Sequence, residues 1–346
     1  MPNIREIAKI ANVSHMTVSR YINKKKYVSA KNAAIIQNVI DQLNYRPNKL
    51  AQALNAKKTG NIALLVGDIS NPITAKYTKG VEEEALRNNS NLIICNTKFD
   101  PVEEARCIVS LIEKKVDGII IASSGQKSDY IDEIIERKIP LVFITRKPIE
   151  YEQDYVVFND YDCSFTVVSH LIKQGFKRIA IIYRDYEQEK HRGRLAGYLN
   201  ALRAFHIPID DALLIPSKAN IEGGYTATKK LLSLPASKKP AAIYTVINPF
   251  TAGCLNYCIN YNIRIPEDIA VASFESFDYY DDLLKIPITA NILPSLQLGV
   301  NAAKLLFERI NSGVPIPTKT VILNCQFVKR ISTFHQTNNI KDKGDV

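Results

Sequence analysis

Residues 3–23 read NIREIAKIANVSHMTVSRYIN. Ile4, Ile7, Ala8 and Ala11 recur at i, i+3, i+4 and i+7, which is one apolar helical face. Asn3 stands where it can cap this helix, and Glu6 follows three residues on, in capping-box position. Asn12-Val13-Ser14 breaks the period. Ser14 is a cap for a second short helix, predicted from His15 to about Asn23, with Val18 and Tyr21 or Ile22 turned inward. Two short helices joined by so tight a turn are a helix-turn-helix. A third helix is predicted from Ser29, carrying Ala33, Ile36, Ile40 and Leu43 on its apolar side. Three short helices in about 45 residues make a minimal core.

The second helix is predicted to expose His15, Met16, Thr17, Ser19 and Arg20. Short polar or adaptable groups near a helix N-terminus are what major-groove readers use against base edges. An arginine spans guanine O6 and N7, a methionine meets a thymine methyl, and a histidine donates or accepts. The charge distribution points the same way. The 346 residues carry 45 Lys and Arg against 35 Asp and Glu, a formal charge of +10. Residues 1–60 hold eleven of the basic residues and two acids, Glu6 and Asp41, so nine of the ten net charges sit in the first sixth of the chain. A clustered basic head on a nearly neutral body is the footprint of a nucleic-acid partner. A uniformly basic protein is excluded.

After Asn44-Tyr45-Arg46-Pro47, residues 48–56 (NKLAQALNA) have helical composition, with Asn48 as cap, but are too short to be stable alone in water. The stretch reads either as a helix that forms only with DNA and a partner chain, its Leu54 serving as an apolar wedge in the minor groove, or as an ordinary flexible linker. From residue 61 the rhythm changes. IALLVG (62–67), NLIIC (91–95), DGIIIA (117–122) and PLVFI (140–144) are short apolar runs. RIAIIY (178–183), AAIYT (241–245) and DIAVASF (268–274) continue them. Helical patterns at 75–89, 102–115, 163–174, 190–205, 222–234 and 249–262 separate them, with one more helix at 294–311. Strands alternating with helices imply parallel sheets covered on both faces. Two such lobes around a crevice form a natural ligand trap.

The fold class expected from these patterns is an N-terminal all-α helix-turn-helix DNA-binding domain plus an α/β body of two subdomains, which the family resemblance given next implies to be periplasmic-binding-protein-like. The head is assigned to 1–46 and the hinge to 47–60. The effector and dimerisation body takes 61–335, and a polar tail 336–346. Within the body the first subdomain is about 61–160 plus 291–322, and the second about 161–290 plus 323–335.

The head and hinge resemble the LacI/GalR family of bacterial transcription regulators, in V-S-x-x-T-V-S-R followed by Y-x-P-N. The body resembles the same family in NP (71–72), VDGII (116–120), HLIKQGFKRIAII (170–182), RLAGY (194–198), IPEDIAV (265–271) and IPIT (286–289). The resemblance implies base reading by His15, Met16 and Arg20. It implies contacts to backbone or groove edges by Ile4, Ser19, Asn23, Tyr27, Val28, Ser29 and Asn32, and minor-groove duty for Asn48, Gln52 and Leu54. A homodimer on a pseudo-palindromic double-stranded operator is implied as well. The run Lys24-Lys25-Lys26 is less typical of the family and reads either as added phosphate contacts or as a solvated loop.

For the cleft, the resemblance assigns effector contacts to Ile73, Asn159, Asp160, Arg194, Asn248 and Glu275. Several of these depart from the family pattern. Ile73-Thr74 replaces an aromatic pair, Asn159-Asp160 reverses the usual order, Ile247-Asn248 replaces Asn-Asp, and Glu275 stands for an Asp. An aromatic platform for a flat sugar face is therefore expected to be missing. Two controllers remain open: a sugar or sugar-related metabolite in the cleft, or a phosphorylated carrier protein as in the catabolite control proteins of the same family.

Other classes are set aside. No phosphate-binding loop, dinucleotide fingerprint or nucleophile elbow occurs. The five histidines do not cluster in sequence, and His170 is expected to be structural. No catalytic residue, cofactor or metal is expected, and the six cysteines read as reduced thiols. No run of 18 apolar residues and no secretory leader is visible, so a cytoplasmic protein without membrane contact is expected. A solute-binding protein of a transporter would need an export signal and no basic head. A repressor of carbohydrate-related genes is the expectation; an activator has the same sequence signature.

Overall fold

The computed structural model describes residues 3–23, 28–45, 58–123, 127–146, 150–184, 193–277 and 284–334. The chain forms two compact units, Met1–Asn61 with Lys115–Asp117, and the remainder.

The first unit opens with helices α1 (Ile4–Ile10), α2 (His15–Asn23) and α3 (Ala30–Gln42). Asn3 caps α1 by accepting from the Glu6 amide at 3.0 Å. The turn into α2 is tight because Asn12 takes a left-handed backbone, φ 52°, a conformation Asn tolerates better than most residues. Ile7, Val18 and Ile36, one from each helix, are fully buried. Each contributes about 1.5–3 kcal/mol on burial, which is the bulk of what so small a core offers. Tyr21 donates to Gln37 at 2.8 Å, and Gln37 donates to Asp41 at 2.7 Å, tying α2 to α3. At the end of this unit Asp117 accepts from the amides of Thr59 at 2.7 Å and Gly60 at 2.8 Å.

The second unit contains two six-stranded sheets. Lobe 1 comprises β1 (Asn61–Val66), α4 (Pro72–Arg87), β2 (Asn91–Asn96), α5 (Pro101–Glu113), β3 (Gly118–Ile121), α6 (Asp129–Glu136), β4 (Leu141–Ile144) and β5 (Asp154–Phe158). Lobe 2 comprises α7 (Asp160–Lys173), β6 (Ile179–Tyr183), α8 (Arg194–Ala204), β7 (Leu214–Pro216), α9 (Ile221–Leu232), β8 (Ala242–Thr245), α10 (Asn248–Asn260), β9 (Ala270–Glu275) and β10 (Thr289–Ile292). The chain then returns to lobe 1 for α11 (Ser295–Ser312) and β11 (Thr320–Leu323), and to lobe 2 for β12 (Gln326–Val328). It thus passes between the lobes three times, after β5, after β10 and after β11.

The strand orders are β11-β5-β4-β3-β1-β2 and β12-β10-β9-β8-β6-β7. Every registered pair is parallel except β10 with β12. Central strands read as unbroken apolar runs because both faces are covered; Ile62 to Leu65, Ile119 to Ile121 and Val142 to Ile144 are fully buried. Helices α4 and α11 meet at two glycines. A Cβ on Gly299 would lie 1.9 Å from the Tyr77 carbonyl oxygen, and one on Gly80 2.3 Å from that of Leu296. Arg309 of α11 then grips the buried Asp154 of β5 with Nε at 2.7 Å and Nη2 at 2.8 Å.

Strands β5, β7, β10, β11 and β12 and helix α6 go beyond the elements expected from the apolar runs. They are short, and several lie toward sheet edges, where half-exposed sequence does not form an apolar run. His170 is buried in α7, its Nε2 sharing a hydrogen bond with Thr333 Oγ1 at 2.9 Å and its ring edge-on to Phe327. Burial first, and the nearby Lys329 second, push its pKa down to about 4, so it is a neutral packing residue. Cys254 and Cys258 are buried on α10. Among the described residues no group of metal-ligating side chains converges, and no helix is long and apolar enough to cross a membrane.

Candidate DNA-reading helix and interlobe cleft

On α2 the exposed side chains are His15, Met16 and Arg20, with Met16 61% exposed. Met16 and Arg20 are one helical turn apart and so share a face. Ser14 accepts from the Thr17 amide at 3.1 Å, and its hydroxyl meets the Thr17 hydroxyl at 2.8 Å. Thr17 is thereby half-buried and engaged in the cap, and Ser19 is half-buried too. Ile4 and Val28 pack against the head core. Ser29 caps α3, accepting from the Asn32 amide at 3.4 Å, and Asn32 is half-buried. Asn23 ends α2. Tyr27, the Lys24–Lys26 run, Asn48, Gln52 and Leu54 lie outside the described residues.

The cleft of the second unit is built from loops that follow the C-terminal ends of strands in both lobes, the usual ligand position in open α/β sheets. Its interior volume is about 100 Å3, because side chains fill it. Arg194, the first residue of α8, is the centre of the lobe 2 wall. Its Nη1 donates to Glu275 at 2.9 Å and its Nε to Asp160 at 3.3 Å. It also donates to the Val246 carbonyl, and its guanidinium carbon lies 3.7 Å from the centre of the Phe274 ring. The other oxygen of Glu275 accepts from the Asn248 amide at 3.0 Å. The carboxylate therefore also caps the first turn of α10, where the helix dipole favours negative charge.

Of the six residues singled out for an effector, Ile73, Asp160, Arg194 and Glu275 line the cleft. Asn159 and Asn248 do not. The Asn159 amide donates to Asp162 at 2.8 Å and to Asn324 at 3.4 Å, on the exposed side of the lobe crossing. Asn248 is buried behind the wall, donating to the Ser276 carbonyl at 3.1 Å. Its Oδ1 is without a hydrogen-bond partner among the described residues. Both shifts have one cause: adjacent residues at a strand-to-helix turn point in different directions, and spacing alone does not say which one faces the ligand.

The expectation that the cleft lacks an aromatic wall is corrected. Phe99 stands in it, with Tyr77 and Phe158 nearby. Lys98 and Phe99 both adopt positive φ, 54° and 56°, which throws the ring back over Gly67. A Cβ at Gly67 would sit 2.1 Å from the Phe99 Cε1 atom. The glycine directly after the first apolar strand was the available signal. Arg146, after β4, and Arg184, after β6, also line the cleft and were missed. Their guanidinium carbons lie 4.9 Å and 4.6 Å from the centre of the Phe99 ring. Burial raises the Tyr77 phenol to about 12, so it acts as a neutral donor or acceptor.

Residues 3–48 match the model of bacterial regulatory proteins of the lacI family, and residues 168–333 that of a periplasmic binding protein-like domain. The chain is 30% identical over 333 residues to the HTH-type transcriptional regulator DegA of Bacillus subtilis, covering 95% of this chain and 97% of that protein. The chain belongs to the LacI family. The ribose operon repressor of Escherichia coli K12 is 28% identical to this LacI-family chain, covering 90% and 93% of the two. A LacI family transcriptional regulator from Enterococcus faecium, solved with bound ribose, is 27% identical, with coverage of 79% and 98% and a TM-score of 0.69. The lac repressor dimer bound to operator shares the fold at TM-score 0.83 over 96% and 99% of the chains, with 20% identity. This LacI-family protein is a DNA-binding transcriptional regulator.

Proposed function

We propose that the chain is a homodimeric repressor and not an enzyme, its operator affinity set by a small polar metabolite in the cleft. The observation that carries the proposal is the convergence of Asp160, which follows β5 of lobe 1, with Arg194 and Glu275 of lobe 2 in the cleft wall. Convergent polar groups between two lobes suit a small ligand with several hydroxyls, and a ligand that binds the open and closed lobes unequally shifts the equilibrium between them. His15, Met16 and Arg20 support base reading by α2. A dimer is supported by Ile221 on α9, Ile259 on α10 and Tyr261 just after it, which are 52%, 72% and 56% exposed, beside a cluster in which Tyr225 meets Tyr257 edge-on and Tyr257 stacks on Tyr261. Exposed apolar groups in one place favour a protein contact.

The test is operator binding by the full chain, followed by fluorescence anisotropy on duplexes selected from a random pool, with and without sugars, sugar phosphates and nucleosides. Specific binding that one metabolite class changes is expected. A version lacking residues 1–60 is expected to dimerise and not to bind; retained specific binding overturns the assignment. Tightening by a seryl-phosphorylated carrier protein, with no response to any small molecule, would favour the corepressor alternative.

A further inference from the structure

We propose that Phe99 is the plug that decides which ligands the cleft admits: its ring holds the effector's place, and a sugar-sized molecule enters only when the ring leaves Gly67. This deepens the effector reading above and rests on it.

The first observation is size. With the ring in place the cleft has about 100 Å3 of interior volume, whereas small-molecule sites run to about 300–1,000 Å3. A group must move before a ligand of that class fits. The second observation is which group is poised to move. The Asp100 amide donates to the Thr97 carbonyl at 2.9 Å and closes a turn. Both central residues of that turn, Lys98 and Phe99, have positive φ. Turns of this kind are ordinarily made from Gly, Asn and Asp, and a bulky residue in one is an outlier. Both ends of the turn are anchored all the same. The buried Thr97 donates to the Val66 carbonyl from its amide at 2.7 Å and from its hydroxyl at 3.1 Å. Asp100 caps α5 by accepting from the Val102 amide at 2.8 Å. Backbone strain that the surrounding structure holds in place points to function.

The third observation is the seat. Three ring carbons of Phe99 lie 2.1–2.4 Å from where a Cβ on Gly67 would stand. Gly67 itself has no positive φ. Its backbone therefore does not call for glycine, and the ring does.

The ring is also shared between the lobes. The guanidinium carbon of Arg146, in lobe 1, lies over it at 4.9 Å from its centre, and that of Arg184, in lobe 2, at 4.6 Å. Both are within reach of a cation–π attraction. A ring that leaves its seat gives up the contact Arg184 carries across the lobes, so ligand entry and lobe movement are coupled. Only molecules with the ring displaced are competent to bind, and the apparent affinity falls in proportion to their fraction.

The test uses the full chain and the variants Phe99→Ala, Gly67→Ala and the double variant, each checked for folding by circular dichroism. The first arm is thermal melting without ligand. Gly67→Ala is expected to lower the melting temperature when Phe99 is present and not when it is Ala. An equal effect in both backgrounds overturns the seat and the proposal. The second arm is calorimetric titration with ribose, glucose, glucose 6-phosphate and uridine. Phe99→Ala and Gly67→Ala are expected to bind the responding probe at least about tenfold tighter than the wild type, as for a ring off its seat in less than about a tenth of the molecules. Unchanged or weaker binding by Phe99→Ala makes the ring a fixed platform, which overturns the plug and leaves the effector reading standing. No binding of any probe to any of these chains overturns the effector reading, and the plug with it.

Discussion

Arg194 and Glu275 meet at 2.9 Å with side chains only 12% and 7% exposed, the most enclosed ion pair of the cleft wall. The pair joins the start of α8 to the end of β9 and, through the second Glu275 oxygen, to the first turn of α10. Removing one member of a buried pair leaves the other charge uncompensated, at a typical cost of 3–5 kcal/mol. Asp160 remains to partner Arg194, so Glu275→Gln is expected to cost less, about 2–3 kcal/mol. Urea unfolding of the full chain measures it. A loss below about 0.5 kcal/mol, the size of a surface pair, would mean that water reaches the pair freely.

On α2, exposure separates three side chains from the rest. Arg20→Ala is expected to cost about 1–3 kcal/mol on the preferred operator and to relax preference at one base pair. Exchanging His15 and Met16 should change which base is preferred at neighbouring positions. Binding selections with each variant provide the comparison, and an unchanged consensus would remove α2 as the reading element.

His170 gives a pH dependence with a definite sign. Its pKa is about 4 in the folded chain against about 6.5 when unfolded. Below 6.5 the unfolded chain takes up the proton that the folded chain refuses. The contribution is fully present above 6.5, shrinks as pH falls, and is lost once pH passes through 4. Its upper bound is about 3 kcal/mol. Stability of the wild type and of His170→Gln, measured from pH 7 to pH 4, should diverge in slope across that window. Parallel curves would show that another group governs acid sensitivity.

The approach of α4 to α11 depends on glycine. Gly299→Ala places a methyl 1.9 Å from the Tyr77 carbonyl oxygen, and backbone cannot step aside as a side chain does. A loss of about 1–3 kcal/mol is expected from overpacking. Gly313→Ala is the control: its φ is 63° and no atom lies within 4 Å of the new methyl, so only backbone strain is felt. Thermal melting that ranks Gly313→Ala as far worse would contradict the close helix contact.

Local patterns made the head readable. Ile7, Val18 and Ile36 each lie on the apolar face expected of their own helix and are fully buried, and the caps at Asn3 and Ser14 are visible from the residues alone. Val39, also buried there, falls on the same stripe. The cleft was readable only in part. Arg194 and Glu275 are 81 residues apart, and their family motif, not any periodicity, marks them. Phe99, Arg146 and Arg184 follow three different strands, so their meeting depends on strand order, which short apolar runs do not encode. Asn159 and Asn248 show the reverse: right neighbourhood, wrong side of the turn.

The three passages between the lobes have a consequence for how the protein is made. Strand β11 seats beside β5 with Thr320 opposite Tyr155, so no contiguous stretch of the chain holds all of lobe 1. At 5–20 residues per second, synthesis takes roughly ten to thirty seconds to travel from one of these strands to the other. Throughout that interval the edge of β5 is open to pairing with any exposed strand nearby. Lobe 2 emerges in the meantime, so the later half of the cleft is translated before the earlier half can be finished. A gene exchange that transplants lobe 1 must likewise move two separated segments at once.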